Sequence, residues 1–266
     1  MDLELTGKVA VVTGGSRGIG KAIARSLANE GCNVVLISRT KESNVAAASE
    51  LATQTGRRVM AFEADTGDDA AVRSMVASVI AEFGRIDILV NCAAQPGGQS
   101  KPPALADITN DDFWADMNVK VLGYLRTARE VAPHMKKQGW GRIINLSGLA
   151  ARTTGTIIGS IRNVGVAALS KNLAEELGPH GINVTCVHPG LTRTEKTPGV
   201  VAARAKAQGV APEAVEKQMA EGNTVRKLIS AEQVADVVTF LASPKSIAIN
   251  GDVIAAGGGA KGSIHY

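Results

Sequence analysis

Aromatic side chains are nearly absent, with Phe, Trp and Tyr together making up 3% of the 266 residues. A core without large rings must be built from Ala, Val, Ile and Leu. The 45% apolar content supplies these, and such side chains suit parallel strands buried on both faces under helices. Cysteine is scarce too. Cys32, Cys92 and Cys186 are odd in number and show no CxxC spacing, so neither a disulfide framework nor a zinc or other metal site is expected. They read as small buried side chains. No apolar run approaches the roughly 18 residues needed to cross a bilayer. The opening MDLELTGKVAVV carries acidic residues and no basic flank before its first apolar stretch. A cytoplasmic protein with no membrane partner is expected. A surface of one charge sign is also lacking: the net charge is +4, and Lys and Arg are scattered among Asp and Glu. Nucleic acid is therefore not an expected partner.

What is present is a rhythm. KVAVVT is followed by a helical pattern from about Gly18 to Glu30, NVVLIS by an Ala-rich helix, and RVMAFEA by a helix ending near Phe83. IDILVN then precedes a long helix from about Asp111 to Lys137, and GRIINLS precedes an apolar helix up to Gly178. INVTCVHP, a helix near Ala231 to Ala242 and a last strand DVIAA complete the chain. Seven strands joined by crossover helices predict a single α/β domain over 1–266, a doubly wound parallel sheet of the Rossmann type. The stretch 194–226 breaks the rhythm. It holds Pro198, Gly199, Gly209, Pro212 and Gly222 around two short amphipathic segments and follows the sixth strand, where ligands of such sheets bind. It reads as a lid over a small-molecule substrate.

TGGSRGIG directly follows the first strand and opens the first helix, placing Gly14, Gly18 and Gly20 in the turn. Glycines there accept positive φ and let a pyrophosphate approach the backbone, while the helix N-terminus favours its charge. The spacing of Gly14, Gly18 and Gly20 resembles that of the short-chain dehydrogenase/reductase family. Further landmarks agree along essentially the whole chain. Asp65-Thr66 after the third strand matches the family's adenine-contacting Asp, and NCAA at 91–94 stands where the family has N-N-A-G. Asn118 in NVKVLG matches its helix Asn, HPGLTRT matches the P-G-x-x-x-T segment along the nicotinamide, and INGDVIAAGGG resembles the family ending.

The resemblance implies a dinucleotide held by Gly14, Ser16, Arg17, Gly18, Ile19, Gly20, Arg39, Asp65, Thr66, Asn91, Ala93, Pro189, Gly190, Thr192 and Thr194. A carboxylate at the end of the second strand would bind the adenosine ribose and repel a 2′-phosphate. Ser38 stands there instead, followed by Arg39, and Arg17 is expected nearby. NADP is therefore expected in preference to NAD.

In the family a Tyr transfers the proton, a Lys four residues later acidifies it, a Ser ending the fifth strand holds the substrate oxygen, and the helix Asn continues a water relay. Aligning GSIRNVGVAALSKNLAEEL through LSKNLA puts Gly159 at the Tyr position and Asn163 at the Lys position; a register two residues on offers Ile161 and Gly165. Neither pair carries the chemistry. The only tyrosines are Tyr124, which reads as core or interface packing, and Tyr266, the last residue. The family Ser corresponds to Ser147 or to Gly148, the family pattern favouring Gly148. Ser147 and Asn118 are what remains of the catalytic set, Asn118 reading first as a structural bridge. Arg152 and Arg162 flank the vacant positions and read as surface or ion-paired residues.

Three readings follow. One is an NAD(P)-dependent oxidoreductase with a non-standard proton source. A second is a catalytically inactive NADP-binding sensor or partner subunit, and a third is a non-redox enzyme on the same fold. The resemblance favours the first and implies homodimers or homotetramers. Binding of the protein to NADP(H) and NAD(H) can be compared by isothermal titration, with the phosphorylated forms expected to bind more tightly.

Overall fold

The computed structural model describes residues 1–94 and 103–261. Its first half runs β1 (Val9–Thr13), α1 (Gly18–Asn29), β2 (Asn33–Ser38), α2 (Lys41–Thr55), β3 (Val59–Glu63), α3 (Asp69–Phe83) and β4 (Ile88–Asn91). It continues with α4 (Asn110–Met117), α5 (Gly123–Gln138), β5 (Gly141–Leu146), α6 (Ile157–Leu177) and β6 (Ile182–Pro189). The last part holds β7 (Thr192–Arg193), α7 (Thr197–Gln208), α8 (Pro212–Ala220), β8 (Ile229–Ser230), α9 (Ala231–Ala242) and β9 (Val253–Ala256).

The main sheet has seven parallel strands in the order β3-β2-β1-β4-β5-β6-β9, as the strand pattern predicts. Successive side chains of a strand point to opposite faces. Along β1, Ala10 and Val12 enter the layer formed with α1, α2 and α9, whereas Val9 and Val11 enter the layer formed with α3, α5 and α6. β1 pairs with β2 on one side and with β4 on the other. The winding direction reverses there, opening a crevice at the carboxyl ends of the strands.

Two departures from the regular pattern bear on that crevice. The long helix expected from about Asp111 is interrupted by a π-helical turn at Asn118–Leu122, between α4 and α5. Such turns are frequent at functional sites. The segment 194–226 is helical and bracketed by β7 and β8, which pair in parallel. Val201 and Ala205 of α7 pack with Val215 and Met219 of α8, so the segment has its own small apolar core. Among the described residues, no helix is long and apolar enough to cross a membrane.

The first turn of α1 lies so close to the preceding loop that a Cβ on Gly20 would overlap the carbonyl oxygen of Gly14. Gly20→Ala is expected to destabilise the protein by about 1–3 kcal/mol, the cost of overpacking. Gly199→Ala in α7, where the added methyl meets nothing within 4 Å, serves as the control. Urea unfolding midpoints of the two variants should move in opposite directions, because Ala favours a helix interior over Gly.

Candidate active site

The loops after β1, β2, β3 and β4 line a cleft of about 410 Å³. The β1–α1 loop contributes Gly14, Ser16, Arg17, Gly18, Ile19 and Gly20. Ser38 ends β2 and Arg39 follows it, Asp65 and Thr66 follow β3, and Cys92, Ala93 and Ala94 follow β4. Val119 of the π-helical turn also lines it, and Thr194 and Glu195 come over from the segment after β6. Most of the expected dinucleotide positions are thus brought together. Asn91, Pro189, Gly190 and Thr192 do not line this cleft.

The loop is shaped by close backbone approach. Gly14 has φ +67°, and a Cβ there would come within 3.0 Å of the Ala93 nitrogen. Thr13, which sequence reasoning did not single out, fixes the opposite wall: its hydroxyl oxygen accepts from the Cys92 and Ala93 amides at 3.0 and 3.2 Å. Helix α1 has no acidic residue in its first turn and no side-chain cap at Arg17. Its Gly18 amide instead donates to the Glu195 carboxylate, at 3.1 and 3.2 Å from the two oxygens. A carboxylate on a helix N-terminus stands where the exposed amides and the dipole favour a phosphate group. Ser38 donates to the Thr40 carbonyl, and Asp65 accepts from the Gly67 amide at 2.8 Å. Arg17 and Arg39 are exposed, and neither forms an ion pair among the described residues.

Behind the cleft the strand ends are tied by buried polar groups. Asn91 is fully buried; its amide donates to the Asn145 side-chain oxygen at 2.9 Å, and its own oxygen accepts from the Thr127 hydroxyl at 2.7 Å. Asn145 in turn donates to Ser170 on α6. Asn91 therefore joins β4 to β5 and α5. Thr192 donates to the Gly190 carbonyl, and Gly190 backs onto Gly257 and Leu149.

At the end of β5, the Ser147 hydroxyl donates to the backbone carbonyl of Asn163 on α6 at 2.9 Å. Lys120, from the π-helical turn, donates to the Ser147 carbonyl at 2.9 Å and to the Asn163 side-chain oxygen at 3.1 Å. A Cβ on Gly148 would come 3.0 Å from the Asn163 amide nitrogen, so Asn163 fills the space beside that glycine.

A family model described as enoyl-(acyl carrier protein) reductase matches residues 14–261. The chain is 34% identical over 252 residues to the short-chain reductase protein NovJ of Streptomyces niveus, covering 94% of this chain and 93% of that one. The chain belongs to the short-chain dehydrogenase/reductase family. It is also 31% identical over 261 residues to the NADPH-dependent reductase BacG of Bacillus subtilis, covering 97% of this chain and 99% of that one. The structure of L-sorbose reductase from Gluconobacter frateurii, complexed with NADPH and L-sorbose, superposes with a TM-score of 0.93 at 29% identity, covering 99% of this chain and 100% of that one.

In this short-chain dehydrogenase/reductase the remaining landmark residues take mainly structural partners. Asn118 donates to the Gly67 carbonyl at 3.2 Å and accepts from Arg126 at 2.8 Å, which anchors the loop after β3. Tyr124 is buried and donates to the Leu146 carbonyl at 3.0 Å; burial pushes its phenol well above the usual tyrosine range. Tyr266 lies outside the described residues. Gly159 sits in the first turn of α6 against Thr156, whose hydroxyl oxygen accepts from the Gly159 amide at 3.3 Å as the helix cap. Arg162 is paired to both Asp116 oxygens, at 2.7 and 2.8 Å, and Arg152 donates to the Val253 carbonyl. Burial raises the thiols of Cys92 to about 11 and of Cys32 and Cys186 to about 12, so none is a thiolate near neutrality.

Lys120, like Thr13 and Glu195, is a residue that sequence reasoning missed. It is only 5% exposed, and burial, followed by repulsion from Arg162, lowers its ammonium to about 8. The one available signal is a lysine among Val119, Val121 and Leu122 directly after Asn118. Between about 8 and the ordinary 10.5, the unfolded chain holds a proton that the folded chain has released. Folding stability due to this residue therefore rises with pH across that window and carries its full penalty below it. Urea unfolding at pH 7, 8.5 and 10 is expected to show that rise as a difference between wild type and Lys120→Met. Parallel curves would overturn it.

Proposed function

We propose that this chain is an NADPH-dependent reductase of a small molecule, working with a proton source other than a tyrosine. The observation that carries this reading is the Gly14–Gly20 loop, whose helix amide already holds a carboxylate from Glu195 in the place a cofactor phosphate would take. Ser38 offers no charge to repel a 2′-phosphate, and the exposed Arg17 and Arg39 line the same cleft. Gly14, Ser16, Gly18, Ile19 and Gly20 would cradle the pyrophosphate, while Asp65, Thr66 and Ala93 would line the adenosine side and the inner wall. Pro189, Gly190, Thr192 and Thr194 would run along the nicotinamide, with Asn91 supporting the wall from behind. When bound, the nicotinamide supplies the hydride. NAD is the second choice of cofactor.

The chain's residues define the substrate class by what they do not provide. General acid–base help is worth on the order of 10²–10⁴ in rate, whereas positioning two reactants supplies effective molarities of about 10⁵–10⁸ M. Hydride transfer by positioning alone suits an acceptor that needs little protonation by the enzyme, such as a quinone, an iminium or a conjugated carbonyl. Ser147 uses its proton on Asn163 but keeps an acceptor lone pair, and Asn118 keeps the adjoining loop in place. The segment 194–226, reaching the cleft through Thr194 and Glu195, would act as the lid. Exposed Trp114, Leu122 and Leu125 near α4 and α5, with Ile157, Ile161 and Val164 on α6, support a homodimer or homotetramer through these helices. Tyr124 being buried and engaged favours a second reading, a cofactor-binding partner or sensor without turnover.

Mixing the protein with NADPH and a panel of quinones, imines and conjugated carbonyls, while nicotinamide absorbance is followed, separates the two. Turnover supports the reductase, and tight binding with no turnover supports the second reading. Arg39→Ala is expected to weaken NADPH by about tenfold or more while sparing NADH, the loss of a charge-assisted contact. Glu195→Gln is expected to tighten NADPH a few-fold by removing a competing anion from α1. Tighter binding of NADH than of NADPH by the wild type would overturn the cofactor assignment.

A further inference from the structure

Lysine is seldom buried without a reason, and Lys120 is buried where this family keeps a different lysine. Its ammonium bridges two elements, accepted by the Ser147 carbonyl at the end of β5 and by the Asn163 side chain on α6. Of its three N–H donors two are spent there. It comes from the π-helical turn, the one irregularity between α4 and α5. Position 163, where the family resemblance expects a lysine, presents only a neutral amide oxygen, and that oxygen is what receives Lys120. The same location is thus supplied with one positive charge from another helix.

We infer that Lys120 is the relocated buried cation of the site, and that its charge favours the reduced over the oxidised cofactor. It is a positioning residue, acting through the end of β5 and through its field. The inference rests on the reading that the chain binds a nicotinamide dinucleotide. Oxidised nicotinamide carries a positive ring and the reduced ring is neutral, so a nearby buried ammonium weakens the oxidised form selectively. β5 is next to β6, Ser147 donating its amide to the Val187 carbonyl, and the segment expected along the nicotinamide ends β6. Such a charge favours loading of the reduced cofactor and release of the spent one, and it makes hydride donation itself less downhill while both are bound. The groups facing Lys120 from the neighbouring elements are Arg162 of α6, Asp116 of α4, Cys92 after β4 and Cys186 of β6. Arg162 and Asp116 are paired with each other, and both thiols stay protonated well above pH 8, so within this set Lys120 is the group that changes charge near there.

The test is the ratio of dissociation constants, NADP+ over NADPH, measured by fluorescence and calorimetry without any substrate. In the wild type the ratio is expected to fall by about tenfold between pH 6.5 and 9.5, as the ammonium loses its charge. Lys120→Met should show the low ratio at both pH values, and Lys120→Arg the high ratio at both. Asn163→Lys alone should lower the melting temperature by crowding two ammonium groups, and Lys120→Met/Asn163→Lys should regain both stability and the high ratio. A wild-type ratio independent of pH, with both cofactors bound, overturns this inference while leaving the proposed function intact. The pH series uses unaltered protein, so a variant that fails to fold does not remove the test. Failure of either cofactor to bind overturns the proposed function and this inference with it.

Discussion

Every strand of the main sheet is parallel to its neighbours, and that constraint organises the rest of the molecule. A parallel neighbour is reached only through a crossover, the crossovers are right-handed, and helices therefore cover both faces. Both faces of the inner strands β1, β4 and β5 are then buried, which is why they contain chiefly Val, Ile, Leu and Ala. Reversal of the winding at β1 leaves the loops after β1 and β4 apart at their carboxyl ends, and the cleft is the space between them. Position in the fold, more than any single side chain, makes this cleft.

Burial on both faces has a consequence at the strand ends. Polar groups there leave water, and each needs a partner inside the protein. Asn91, Asn145, Thr127 and Ser170 satisfy one another across β4, β5, α5 and α6. Lys120, Ser147 and Asn163 do the same one layer nearer the cleft. A landmark Asn of the family can thus serve as a brace: Asn91 faces into this network, and Asn118 holds the loop after β3 through Gly67. The cleft is lined chiefly by backbone, small side chains and the few charged groups that reach it from loops.

Legibility followed the range of the interactions. The alternation of short apolar strands with helices, the glycine turn after β1 and helix boundaries such as Ala231–Ala242 are set by neighbours a few residues apart, and these were readable. The one long helix expected after β4 is interrupted at Asn118–Leu122, where Lys120 reaches Ser147 and Asn163, partners that no local pattern encodes. Arg162 read as surface or ion-paired; its partner Asp116 lies on a different helix. Lys120 was not readable as a buried residue, since lysines on helices are ordinarily solvated and only distant acceptors keep this one inside. Glu195 was missed for the same reason: its target, the Gly18 amide, lies 177 positions away along the chain.

Residue identity and short-range spacing were enough for the sheet, the glycine turn after β1, the absence of an acidic residue at position 38 and the absence of any tyrosine between Tyr124 and Tyr266. Which groups meet at the strand ends was settled by the folded arrangement alone. Folding brought a lysine from the turn before α5 to an asparagine on α6 and a serine ending β5, and it set a carboxylate on the first helix. The physical reason is desolvation: a buried charge or an orphaned amide must find a partner wherever the fold provides one, and that partner is fixed by three-dimensional proximity and not by order along the chain.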